Sequence, residues 1–135
     1  GGLKGNGGFM MIWAFLLSRS LQWRNATVYI NMVVENNNAL KSAYENLNAK
    51  LSEIRIEAET NIIAANGRSF EEILQNTSEK ADLIFMGMAK PKDEYAKYYN
   101  AINKRIKNLP TTILCLAAEE VAFGDVLIKD QSEAE

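Results

Sequence analysis

Residues 26–34, ATVYINMVV, limit most strongly what this chain can fold into. The run is rich in β-branched residues and nearly continuous in apolar character, so it reads as an interior strand covered on both faces, as in a parallel sheet. Two more runs of the same kind follow, DLIFMGM at 82–88 and TTILCLA at 111–117. Segments with apolar residues at helical spacing separate them. Strands alternating with helices imply right-handed crossovers and an open, mostly parallel sheet: a doubly wound α/β domain with helices on both faces.

The intervening segments fix the helices. Residues 9–21 have helical length and composition and read as a largely buried helix. Leu40, Ala43, Tyr44, Leu47, Leu51 and Ile54 then share one face of an amphipathic helix. From Ile54 the period changes to two: Ile54, Ile56, Ala58, Thr60 and Ile62 alternate with Arg55, Glu57, Glu59 and Asn61. That alternation marks a strand with one wet face, as found at a sheet edge. Ser69 with Glu72 forms a capping box ahead of a helix striped by Phe70, Ile73, Leu74, Thr77 and Ala81. The last helix carries Tyr95, Tyr98, Tyr99, Ile102, Ile106 and Leu109 on one face and stops at Pro110. No repeat or linker divides the 135 residues, so 1–124 reads as one domain and 125–135 as an acidic, flexible tail.

Composition removes several functions. A net charge of −2 argues against a nucleic-acid binder, and the absence of histidine removes the commonest general base and transition-metal ligand. Cys115, inside an apolar run and with no base beside it, reads as a small core hydrophobe. Glu57 and Glu59 are the most visible carboxylate pair, but they share the polar face of their strand and read as solvated. The expectation is therefore no enzyme, no metal and no cofactor. The apolar run 9–17 is far shorter than the ~20 residues of a membrane-spanning helix. Lys90, Lys92, Lys97, Lys104, Arg105 and Lys107 make the last helix region basic, a solvated face or one suited to an acidic surface.

The opening glycines, GGLKGNGG, fail both phosphate motifs: a G-x-G-x-x-G reading from Gly5 and Gly7 falls on Met10, and a Walker reading puts Gly8 at the lysine position. They read instead as a turn into the first helix. The stretch ADLIFMGM at 81–88 resembles ADLIVMG of universal stress proteins, whose nucleotide-binding members continue with G-x-x-G and a later Gly-Ser or Gly-Thr. Here Gly87 is present, Lys90 stands at the second glycine position, and the later pair is missing. Gly87 and Lys90 are thus weak nucleotide candidates, and the resemblance implies the fold rather than an ATP site.

A second resemblance covers more of the chain. GGL, an apolar helix and then LLSRSLQWRNATVYI are similar to the DGGL, LIPYLL, W and IRVF region in the cytosolic C-terminal domain of cation-chloride cotransporters. Gly1, Gly2, Leu3 and Trp23 carry most of the match, and LPTTILCLAAEE at 109–120 matches the family's terminal leucine-rich strand. The resemblance is to compact prokaryotic members of this family, within the amino acid, polyamine and organocation superfamily. It implies a non-catalytic regulatory and dimerising domain at the cytoplasmic face of the cell membrane. Its partners would be the transporter's own transmembrane domain, which moves chloride with sodium or potassium, and a second copy, with no nucleic acid and no small-molecule substrate. Phe9, Met11 and Phe15, on a helix apolar around its circumference, are the expected interface. The alternatives are a nucleotide-binding universal-stress-type protein and the cytosolic domain of an amino-acid permease-type transporter. In the family's 3-2-1-4-5 strand order, the first, central strand would lie upstream of Gly1. Residues 26–34 and 83–88 would then flank a position that this sequence does not fill.

Overall fold

A computed structural model describes residues 5–52 and 56–118. Four helices alternate with four short strands: α1 (Asn6–Ser18), β1 (Val28–Val34), α2 (Leu40–Ser52), β2 (Ala58–Ala64), α3 (Phe70–Ser78), β3 (Ile84–Gly87), α4 (Tyr95–Ile106) and β4 (Thr112–Cys115). The chain is a small α/β protein whose strands pair in parallel. β1 pairs with β2 from Val28↔Ala58 to Val34↔Ala64, and β3 pairs with β4 from Ile84↔Thr112 to Gly87↔Cys115. The two pairs form separate two-stranded sheets, so one continuous sheet is not present among the described residues.

Gly5 starts α1 with φ +59° and ψ −125°, a left-handed turn that glycine adopts without a Cβ penalty. Gly7 and Gly8 follow within the first helical turn. The helix therefore begins earlier than its apolar run. It also ends earlier than expected: the Ser18 and Ser20 hydroxyls donate to the Phe15 and Leu17 carbonyls, taking up carbonyls that a further turn would have used. At α3 the predicted cap is present. Ser69, extended at φ −70° and ψ 151°, accepts from the Glu72 N–H at 3.2 Å.

The principal core is small. Met11 of α1 and Leu47 of α2 are its buried centre, and Ile12, Phe15, Ile30, Met32, Leu51, Ile56 and Ile62 pack around them. It unites α1 and α2 with one face of the β1–β2 pair. The other face is wetter than an interior strand should be: Tyr29 is 57% exposed and Asn31 lies in solvent, its side chain bonded to that of Asn61 at 3.0 Å. This corrects the reading of 26–34 as covered on both faces. Among the described residues β2 pairs with β1 alone, and Glu57 and Glu59 are exposed on its wet side.

Ile73 of α3, Ile102 of α4, Met86 of β3 and Cys115 of β4 are the buried hydrophobic residues of the other half, and Ser78 of α3 is buried as well. Arg105 ties α4 to α3 through Glu71 at 2.9 Å and lies over the Phe70 ring at 5.3 Å. Glu71 is held below the usual carboxylate value by its own backbone N–H first and by Arg105 second. Of the tyrosine stripe of α4, Tyr98 is half-buried, but Tyr95 and Tyr99 do not turn inward as expected. Tyr95 and Tyr99 stack on each other at 6.0 Å and stay about half exposed, because β3 and β4 offer only four residues each to cover. Burial raises the Cys115 thiol pKa above its ordinary 9.0. In the unfolded chain the thiol ionises first, so this group lowers stability as pH rises through that value and has no effect well below it. Native protein should accordingly react with a thiol reagent at pH 8 at least ~10-fold more slowly than urea-unfolded protein. Equal rates would place Cys115 outside the core.

Candidate functional site

In open parallel α/β folds, ligands and partners gather at the carboxyl ends of strands where the chain's direction of winding changes. The carboxyl ends of β3 and β4 here meet the start of α1. Asn6, the first residue of α1, reaches both strands' exits: its Nδ2 donates to the Met88 carbonyl at 2.7 Å, and its Oδ1 accepts the Ala117 N–H at 2.7 Å. The amide uses one donor and one acceptor on partners that lie 82 and 111 residues away. Beside it the Ala89 N–H donates to the Tyr98 hydroxyl at 2.6 Å, which anchors the start of the 88–94 loop to α4.

Gly87 sits directly under Asn6. A Cβ built on Gly87 would lie 3.2 Å from both Cβ and Nδ2 of Asn6, a tight contact that glycine avoids where α1 approaches β3. A glycine singled out for phosphate thus serves helix–strand packing, and the asparagine side chain occupies the space above it. Lys90 is exposed in the following loop. Of the other basic residues, Lys97 pairs with Glu94 at 3.7 Å and Arg105 with Glu71.

The expected interface residues separate. Met11 is 5% exposed in the core and cannot meet a partner, which corrects its assignment. Phe15 is half-buried, packed against that core with Arg19 over its ring at 5.4 Å. Phe9 is half-buried and meets Trp13 edge-on at 6.3 Å. The outward apolar surface of α1 belongs instead to Trp13 and Leu16, 46% and 52% exposed, with Leu21 almost wholly exposed just beyond the helix. Trp23 is half-buried in the turn that follows, where its carbonyl accepts the Ala26 N–H. Gly1, Gly2, Leu3 and the tail 125–135 lie outside the described residues.

Among the described residues no three His, Cys, Asp or Glu side chains come together as a metal site would need. A shallow open groove of about 770 Å³ lies elsewhere, between α2, β2 and α3, lined by Leu40, Tyr44, Ile62 and Ile63 with Lys41 at its rim. Among its described lining residues the ionisable groups are Lys41, almost wholly exposed, and the Tyr44 phenol, about half exposed. No described helix is long and apolar enough to cross a membrane. Compared with protein-family models, with curated proteins and with solved structures, the chain has no match in any of the three.

Proposed function

We propose that this chain is a non-catalytic regulatory and dimerisation domain of a cation-chloride cotransporter, held at the cytoplasmic face of the membrane by the transporter's own transmembrane part. In this reading the two parallel pairs are the flanks of one doubly wound sheet of the universal-stress type. The observation that carries the proposal is the outer surface of α1. Trp13, Leu16 and Leu21 are large apolar side chains left in water within a short stretch of chain, a pattern associated with association surfaces. The similarity of GGL and Trp23 to the cotransporter domain supports the family. The filling of the space over Gly87 by Asn6 favours this reading over a nucleotide-binding one.

Sedimentation equilibrium tests it. The wild-type chain should self-associate, and Trp13→Asp with Leu16→Asp should weaken association by at least ~10-fold. Full burial of one such side chain is worth about 1.5–3 kcal/mol, and about 1.4 kcal/mol is a factor of ten. Both substitutions lie on the wet side of α1, so the variant should keep its far-UV spectrum. A wild-type chain that stays monomeric at hundreds of micromolar would sink the dimerisation reading.

A further inference from the structure

Asparagine is followed by glycine twice in this chain, at Asn6-Gly7 and at Asn66-Gly67. Such a pair carries a chemistry of its own. The backbone nitrogen of the second residue can attack the side-chain amide carbon of the first, and glycine favours the attack because no Cβ restricts the backbone or crowds the amide. How firmly the fold holds the two residues then decides the rate, and the two pairs are held in opposite ways.

Asn6 is locked. Its Nδ2 and Oδ1 are both bonded at 2.7 Å, to the Met88 carbonyl and from the Ala117 N–H, and its backbone opens the first turn of α1 together with Gly7. A helical side chain leans toward the helix N-terminus, whereas the next residue's nitrogen lies toward the C-terminus. Attack by Gly7 therefore needs both side-chain bonds broken and the turn unwound.

Asn66 has no such hold. It lies in the turn between β2 and α3, where the Arg68 N–H donates to the Ala65 carbonyl at 3.0 Å and the two central residues, Asn66 and Gly67, have φ of +48° and +85°. Both are exposed, and a Cβ built on Gly67 would meet nothing within 4 Å. The Gly67 N–H has no backbone acceptor among the described residues. The side chain of Asn66 is tethered by its Nδ2, which donates to Asn37 Oδ1 at 3.1 Å in an exposed setting where water can take its place.

We propose that Asn66 is a site of spontaneous deamidation in the folded protein, and that Asn6 is shielded from the same reaction. The Gly67 nitrogen forms a bond to Cγ of Asn66 as the Cγ–Nδ2 bond breaks; Nδ2 leaves as ammonia, and the Gly67 amide proton passes to water. A water molecule then opens the five-membered succinimide at either carbonyl, giving aspartate or isoaspartate, with no change of oxidation state. Either product replaces the Nδ2 donor with a carboxylate that faces Asn37 Oδ1 as a second acceptor, so the link between the turns after β1 and β2 is lost. Isoaspartate also adds a backbone carbon to the turn that leads into the Ser69 cap of α3. None of this depends on the dimerisation reading.

The test incubates native and guanidinium-unfolded protein at pH 8 and follows tryptic peptides 5–19 and 56–68 by mass spectrometry, with fragment masses placing the converted residue. Releasing Asn6 means breaking its two bonds and the first turn of α1, so in native protein it should convert at least about tenfold more slowly than Asn66. Unfolding should bring the two rates together, and both isoaspartate and aspartate should appear at position 66. The converted native protein, separated by its added negative charge, should melt lower by about 2–4 °C. Native Asn6 converting as fast as Asn66, or Asn66 converting only after unfolding, would overturn the assignment. Aspartate alone would overturn the attack by Gly67, and an unchanged Tm would overturn the loosening of the turn.

Discussion

Met11→Asp should unfold most of this protein, whereas Trp13→Asp and Leu16→Asp should each leave it folded. All three residues lie on one apolar helix and are indistinguishable by composition. Met11, however, is 5% exposed against Leu47 at 2%, at the centre of the cluster joining α1 and α2 to β1 and β2. The described side chains packed around it are apolar, and burying an unpaired charge among them costs several kcal/mol beyond the lost methionine contacts. The combined loss is about 4 kcal/mol or more, comparable with the whole stability of a small domain. The two outer substitutions forfeit only helix propensity and partial contacts, about 1 kcal/mol each. Urea titration followed by circular dichroism resolves the difference. A Met11→Asp chain that unfolds at the same urea concentration as Trp13→Asp would mean that the α1–α2 cluster is not the core.

What the sequence revealed and what it hid divide along the range of the interactions. Periodicity located every strand and helix, because each apolar run must bury one face wherever the chain goes. The wet face of β2 is legible for the same reason: exposed Glu59 and Asn61 alternate with half-buried Thr60 and Ile62. The Ser69 cap was legible because its donor is three residues away. Errors arose where a partner had to be known. Tyr95 and Tyr99 sit at helical spacing, yet they stack outward because the strands beneath α4 are short. Phe70 reads as core but remains 43% exposed beneath Arg105. Residues 26–34 read as doubly covered, yet Tyr29 is more than half exposed, which its own spacing does not record.

The candidate site was the least legible part. Gly87 drew notice as a phosphate glycine, and nothing local indicates that its small size serves a helix from the other end of the chain. Asn6 lies among glycines, where asparagine ordinarily signals a turn. Its role appears only when residues 6, 88 and 117 are brought together, which no short-range pattern records.

Asn6→Ala should for that reason be the most damaging polar substitution in the chain. The side chain makes two bonds of 2.7 Å, to the Met88 carbonyl and from the Ala117 N–H, in a part-buried setting. Alanine removes both and leaves a carbonyl and an N–H without their partner, which costs more than the net value of the bonds themselves. The expected loss is about 2–4 kcal/mol, or a fall in Tm near 10 °C. Asn6→Asp separates the two bonds. Its carboxylate still accepts the Ala117 N–H and sits favourably at the start of α1, but it cannot donate to Met88. It should therefore lie between wild type and Asn6→Ala at pH 7. Its deficit relative to wild type should narrow as the pH drops below the carboxylate range, because a protonated carboxyl carries one donor and one acceptor, as the amide does. Gly87→Ala should act in the same direction and more weakly, since its Cβ would press on Asn6 from 3.2 Å. Parallel thermal melts of the four proteins at pH 7 and at about pH 2.5 give the comparison. If Asn6→Ala melts within a degree or two of wild type, α1 is held to β3 and β4 by packing alone, and the bridging role of the amide is refuted.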